Sequence, residues 1–174
     1  VFEGNPGTGK TTVARLVAQI YAEHGLLKKG QLIEVDRADL VGQYVGETAQ
    51  KTRAVCEQAL GGVLFIDEAY SLADKNPDHG NNFGEEAINT LTKFMEDNKD
   101  DMMVIAAGYS EEMDEFIELN PGLQRRFSYR VHFEDYTPNE LMAILKLKLK
   151  KLNLPEIDKQ LEKRIQKLFK TLYK

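Results

Sequence analysis

Eight residues near the start of the chain constrain its fold more than any other stretch: Gly4-Asn5-Pro6-Gly7-Thr8-Gly9-Lys10-Thr11. Their spacing is G-x-x-x-x-G-K-[ST], the pattern of a loop that wraps phosphate groups. Glycines let the backbone curl so that successive N–H groups point inward at phosphate oxygens. A helix starting at the end of the loop adds its positive N-terminus to the same pocket. Lys10 reaches the outer phosphates and the Thr11 hydroxyl is placed to ligate Mg²⁺. Asn5, Pro6, Gly7, Thr8, Gly9, Lys10, Thr11 and Thr12 are therefore the expected nucleotide contacts. The pattern needs a strand before it and a helix after it. Val13, Leu16, Val17, Ile20 and Tyr21 recur at helical spacing until Gly25, and Val1-Phe2-Glu3 is the end of a strand.

The rest of the chain reads as strands separated by helices. Strands are expected at Gln31 to Val35, Val63 to Ile66, Met102 to Ala107 and Tyr129 to Phe133, the last alternating as an edge strand does. Val63-Leu64-Phe65-Ile66 is an unbroken apolar run of the kind buried on both faces of a parallel sheet. Helices are expected at about Thr48 to Leu60, at Glu85 to Asp97, and over a short acidic stretch that Ser110 can cap. Ala73 to Asn82 reads as an exposed loop. This alternation specifies an α/β fold, a parallel sheet sandwiched by helices, and such sheets bind ligands beyond the carboxyl ends of their strands. The sequence puts its chemistry at those ends: the phosphate loop, Tyr44, Asp67-Glu68 and Tyr109.

At Tyr136 the pattern changes. Thr137-Pro138-Asn139-Glu140 is a capping box with Pro at the first helical position. Leu141, Ile144, Leu145, Leu149 and Leu152 form one helical face, and Ile157, Leu161, Ile165, Leu168 and Leu172 a second. The chain is thus expected to hold an α/β domain over 1–135 and the start of a helical domain over 136–174. It begins without Met, and inside a strand, as an excised piece of a longer protein does.

Charge divides along the chain in the same way. Residues 1–139 carry 13 basic and 24 acidic side chains, and residues 140–174 carry 10 and 4. The acidic body argues against general nucleic-acid binding. The basic tail reads as the solvated face of amphipathic helices. No apolar run reaches the length of a membrane span, and no secretion signal is present. Cys56 is the single cysteine, which excludes an internal disulfide and suits a reducing, cytoplasmic location. His24, His79 and His132 have no zinc-ligand spacing.

Asp67-Glu68 is the second strong signal. An acid ending an apolar strand after a phosphate loop contributes a carboxylate to the Mg²⁺ shell, and Asp67 suits that role. A second acid beside it can orient or deprotonate an attacking water, and Glu68 suits that.

Taken together, GNPGTGKTT, GVLFIDEAY and NPGLQRRF resemble the AAA+ ATPases. DLVGQYVGET, ALGGVLFIDEAYSL and VIAAGY…NPGL are similar to the branch containing red-type Rubisco activase and stage V sporulation protein K. The resemblance covers roughly residues 1–150. It implies a P-loop NTPase large domain followed by part of a small helical domain. ATP and Mg²⁺ are the implied cofactors, and a hexameric ring of identical subunits acting on a protein is the implied assembly. Lys10 and Thr11 take the Walker A roles, Asp67 and Glu68 the Walker B roles, with Glu68 catalytic. Tyr44-Val45-Gly46 resembles the loop that grips a polypeptide in the central channel; the competing reading is that Tyr44 packs locally. Arg125-Arg126-Phe127 stands where the family carries its arginine finger. Arg126 is favoured, being directly before Phe127, and Arg125 is the alternate; a surface salt bridge is the plain alternative to both. Gly108-Tyr109 departs from the short polar residue the family usually places there, so Tyr109 or Ser110 is expected to serve as first sensor. The second sensor and the adenine contacts are expected outside this chain.

Two functions of different class fit this pattern. One is a ring-forming Mg²⁺-dependent ATPase that remodels or threads a protein. The other is a nucleotide-gated assembly module with little turnover. A small-molecule kinase leaves Glu68 and the Arg125-Arg126 pair unexplained.

Overall fold

The computed structural model describes residues 1–73 and 83–172. From residue 74 onward the expected loop, with His79, lies outside the described residues. The chain divides into two compact units, Val1–Phe133 and Glu134–Lys174.

The first unit is built on five parallel strands: β1 (Phe2–Gly4), β2 (Leu32–Val35), β3 (Val63–Ile66), β4 (Met103–Gly108) and β5 (Val131–Phe133). Their order across the sheet is β2-β3-β4-β1-β5. Phe2 pairs with Ala107 on one side and with Val131 on the other, so the strand that feeds the phosphate loop runs between two neighbours. β5 is one edge of the sheet, and the adjacent Val131 and His132 are both exposed, so the expected alternation does not appear in its burial.

Because side chains alternate along a strand, one apolar run can serve two cores. Val63 and Phe65 of β3, with Ile105 and Ala107 of β4, pack with Phe2 and with Ala14 and Ala18 of α1 (Lys10–Glu23). Leu64, Ile66 and Ala106 point the other way. They join Leu40 of α2 (Arg37–Leu40), Cys56 of α3 (Thr48–Gln58), Leu91 of α4 (Phe83–Asp97), Phe116 of α5 (Ser110–Glu118) and Leu123 of α6 (Pro121–Arg126).

Three local features differ from, or go beyond, what the sequence pattern announces. The bulky stripe of α1 does not face the sheet: Ala14 and Ala18 are fully buried, whereas Leu16 and Ile20 are about half exposed. Small side chains let the helix axis lie close to the strands, and that close approach leaves the large residues outside. Second, Asp36 opens a short helix that the sequence pattern does not announce; its carboxylate accepts from the N–H of Ala38 at 2.7 Å within a capping box. Third, Asn120 starts a further short helix. Its side chain accepts from the N–H of Gly122 at 2.7 Å and caps α6. Ser110 is the first residue of α5, and Tyr109 occupies the cap position without a side-chain bond.

The second unit contains α7 (Pro138–Lys151) and α8 (Lys159–Leu172). The capping box is present: the Thr137 hydroxyl accepts from the Glu140 N–H at 3.3 Å, and the Glu140 carboxylate accepts from the Thr137 N–H at 2.8 Å. At the other end of α7, Asn153 adopts φ 54, the left-handed turn that Asn tolerates after a helix. Lys146 with Glu162 at 2.5 Å, and Gln166 with Asn139 at 2.9 Å, tie the two helices together.

Candidate functional site

The turns after β1, β3 and β4 lie side by side, because those strands are sheet neighbours. They enclose a cleft of about 290 Å³. Gly4, Pro6, Gly7, Gly9, Lys10, Thr11, Thr12, Asp67, Glu68, Gly108 and Tyr109 line it.

The loop is shaped by its glycines. Gly7 and Gly9 have φ of 81° and 96°, where a side chain is disfavoured. Gly9 is also the cap of α1 and offers no side chain to its N–H groups, which leaves them directed at a ligand. Gly4 is required for a further reason: a Cβ there would stand 2.3 Å from the Phe133 carbonyl oxygen.

Asn5 and Thr8 do not line the cleft. They brace the loop: the buried Thr8 hydroxyl donates to the Asn5 carbonyl at 2.7 Å. Lys10 Nζ donates to the carbonyls of Gly4 at 2.7 Å and Asn5 at 2.9 Å. Burial lowers its pKa below the ordinary lysine value, while the carboxylates of Asp67 and Glu68 pull it back up. The ammonium thus rests on weak neutral acceptors close to where phosphate charge is expected.

Across the cleft, the Asp67 N–H donates to the Val35 carbonyl at 2.9 Å, which continues the β2–β3 ladder. The Glu68 N–H donates to the Asp67 carboxylate at 3.1 Å and so orients it. Glu68 itself has φ 46, one of two non-glycine residues in the left-handed region among the described residues. Such backbone costs about 1 kcal/mol or more, and gathers at working sites. The consequence here is that an exposed carboxylate stands at the mouth of the cleft, next to the half-buried Asp67.

One carboxylate and one hydroxyl are a sparse donor set. Among the described residues no three His, Cys, Asp or Glu side chains cluster as a metal cage. Asp67 and Thr11 instead fit Mg²⁺, which keeps several waters and shares its remaining positions with phosphate oxygens.

The other residues singled out by sequence lie outside this cleft. Tyr44 and Val45 are 69% and 78% exposed, so Tyr44 is not packed locally. Their turn is nonetheless firmly made. The Glu47 carboxylate accepts from the N–H groups of Gln43 and Tyr44, each at 3.2 Å, and the buried Thr48 hydroxyl accepts from the Gly42 N–H at 3.0 Å. Gly46 supplies a left-handed turn at φ 87. Arg126 is mostly buried and pairs with Glu96 of α4, whereas Arg125 is exposed.

Two residues beside the cleft are given no role by the sequence pattern, although Tyr70 closes the GVLFIDEAY stretch. Tyr70 stands beside Tyr109, with ring centroids 6.1 Å apart. Glu3, directly before the loop, is buried and bonded to Arg130 at 2.8 Å; Arg130 also pairs with Asp114 of α5. Only the position of Tyr70 three residues after Asp67 hints at its place.

Residues 1–135 match the family described as ATPase family associated with various cellular activities (AAA). The chain is 57% identical over 146 residues to stage V sporulation protein K of Bacillus subtilis, covering 84% of this chain and 44% of that protein. It is 50% identical over 169 residues to the chloroplastic ribulose bisphosphate carboxylase/oxygenase activase of Cyanidioschyzon merolae, covering 95% and 57%. It thus spans about half the length of the curated relatives it matches. In fold it is similar to the FIGL-1 AAA domain solved in complex with ADP, with a TM-score of 0.65 and 22% identity over 96% of this chain and 53% of that one. With its phosphate loop, paired acids and strand order set in that frame, the chain belongs to the AAA family of ATPases.

Proposed function

We propose that this chain is the nucleotide-hydrolysing part of a ring-forming AAA ATPase that remodels a protein substrate. The observation that carries the reading is the meeting of Lys10, Thr11, Asp67, Glu68 and Tyr109 in one cleft, from three separate turns.

The backbone N–H groups from Gly7 to Thr11 bind the phosphates of ATP, and Lys10 exchanges its two carbonyl partners for phosphate oxygens. Thr11 and Asp67 hold Mg²⁺, which supplies charge neutralisation at the phosphoryl group when bound. Glu68 orients the attacking water and takes its proton. Tyr109 lines the same cleft and serves as first sensor; Ser110 starts a helix and is not part of the lining. An arginine from a neighbouring subunit meets the developing charge. Exposure supports Arg125 for this role, and placement directly before Phe127 supports Arg126. Tyr44, held out by the Glu47 turn, contacts a polypeptide without reading its sequence. The two curated relatives carry different names, so protein remodelling is proposed as a class and no single substrate is assigned. The helical unit 134–174 is proposed as the start of the lid that moves with hydrolysis.

Glu68→Gln tests the mechanism. The expected result is retained ATP binding with phosphate release reduced by at least about a hundredfold. Normal turnover overturns the assignment. Nucleotide-dependent ring assembly by the unaltered protein with no phosphate release would favour a gated assembly module instead. Among the described residues no helix is long and apolar enough to cross a membrane.

A further inference from the structure

Tyr70 lies outside the cleft lining, yet three features of the fold converge on it. The first is the turn that carries it. After Glu68, whose φ is 46, the Ser71 N–H donates to the Glu68 carbonyl at 2.8 Å and closes a 3-10 turn over Ala69–Ala73. Ala69 and Leu72 of this turn are fully buried, and the Arg37 guanidinium donates to the Ser71 carbonyl. The turn therefore has little freedom, and Tyr70 is half-buried at a fixed place on it.

The second is the end of β4. A Cβ at Gly108 would stand 2.7 Å from Cδ1 and 2.9 Å from Cε1 of Tyr70. The ring is laid directly against the strand end, so only a residue without a side chain fits beneath it. The third is the next residue. Tyr109 turns into the cleft, and its ring sits 6.1 Å from that of Tyr70 at 40°. This is the separation at which tilted aromatic rings attract. Burial raises the Tyr70 pKa, and the Glu68 carboxylate is the next largest cause, as expected of a hydroxyl kept neutral near the acid.

We propose that Tyr70 is a positioning residue for hydrolysis: its ring, seated on Gly108, fixes Tyr109 in the cleft opposite Glu68. A short polar side chain at the end of a strand is held by the strand itself. A tyrosine reaches well beyond the backbone, so a small change in its torsions moves the hydroxyl far, and it needs an external wall. Tyr70 is that wall, and it is carried by the same turn as Glu68. The base and the sensor are thereby referenced to one rigid element, and small misplacements of reacting groups are costly. This inference rests on the reading of Glu68 and Tyr109 given under Proposed function.

The test is steady-state ATP hydrolysis by the full-length protein with Tyr70→Ala, Tyr70→Phe, Tyr109→Ala and the Ala double variant, alongside nucleotide binding and Tm. Tyr70→Ala is expected to lower kcat about tenfold while KM for ATP stays within about twofold, since the phosphate-loop contacts are untouched. Tyr70→Phe restores kcat, because the ring and not the hydroxyl does the positioning. The double variant is no slower than Tyr109→Ala, because the two residues act as one unit. An unchanged kcat in Tyr70→Ala, losses that multiply in the double variant, or a failure of Phe to restore turnover each overturns the proposal. If Tyr70→Ala melts below the assay temperature, Tyr70→Leu fills the volume without a ring; the same kcat loss supports the proposal, and wild-type kcat overturns it. Glu68→Gln separates the two readings. If it is inactive while Tyr70→Ala turns over normally, only this inference falls. If Glu68→Gln turns over normally, the hydrolysis mechanism falls first.

Discussion

Arg126 is bound within its own chain: its guanidinium pairs with the Glu96 carboxylate and donates to the Gly122 carbonyl at 3.1 Å. The preceding residue, Arg125, is exposed and makes no ion pair among the described residues. A finger that serves a neighbouring subunit has to project from the surface, so the two arginines are predicted to divide their work. Arg125→Ala is expected to reduce ATP turnover of the assembled protein by at least about a hundredfold. Arg126→Ala loses a pair whose acid is 64% exposed, which costs at most about 1 kcal/mol, and turnover falls less. Phosphate release at saturating ATP and protein measures both. A larger loss for Arg126→Ala would return the finger to that residue.

Tyr44 is the most testable surface residue. Its turn is held by Glu47 and Thr48 rather than by its own ring. Tyr44→Ala is therefore expected to leave Tm and basal ATP hydrolysis unchanged and to abolish protein remodelling, with Tyr44→Phe active. Thermal melting, phosphate release and a substrate-unfolding assay check the three parts. A Tm drop of several degrees would mean that Tyr44 is structural after all.

Gly4 is predicted to be intolerant of any side chain. Its φ is 140, and an added Cβ would lie 2.3 Å from the Phe133 carbonyl oxygen, a backbone atom of β5 that cannot swing away. Gly4→Ala should cost about 2–4 kcal/mol and weaken nucleotide binding through displacement of the loop. Gly7→Ala meets no atom within 4 Å and pays only for its positive φ, about 1 kcal/mol. Chemical denaturation of the pair measures the difference; equal losses would refute the β5 contact as the cause.

Cys56 is predicted to be silent. Burial in the core pushes its thiol up to about 12, with the nearby Glu57 adding to the shift. At pH 8 only about one molecule in ten thousand is thiolate, so alkylation of the folded protein should be slow and should accelerate on unfolding. The same shift makes stability depend on pH. The unfolded thiol loses its proton near 9.0, the folded one only near 12. The contribution of Cys56 is full below pH 9 and falls as pH rises through that window. A Cys56→Ala variant should lose less stability than the parent between about pH 8.5 and about 11. Parallel curves would show that another group controls the alkaline limb.

Much of the fold is legible in sequence because it is written in local pattern. The run Val63–Ile66 must be a strand buried on both sides, and the phosphate loop must sit between a strand and a helix. The stretch from Gly4 to Thr11 and the pair Asp67-Glu68 already name most of the residues that line the cleft. The buried face of α1 is not legible, because periodicity marks which residues are apolar and not how near the helix lies to the sheet. The short helices α2 and α6 are hidden for a different reason: four to six residues are too few to show a period.

What the sequence determined by itself is the class of chemistry. A glycine-rich loop of phosphate-binding pattern, two adjacent acids at a strand end, and an alternation of strands and helices are all properties of neighbouring residues. What only the tertiary structure decided is which distant residues share a space. The strand order β2-β3-β4-β1-β5 brings the turns after β1, β3 and β4 together. The fold alone laid Tyr70 over Gly108 and against Tyr109, paired Arg126 with Glu96, and left Arg125 and Tyr44 facing solvent. The contacts among these residues join positions far apart in the chain, and they depend on how close the elements pack. No local spacing encodes that distance.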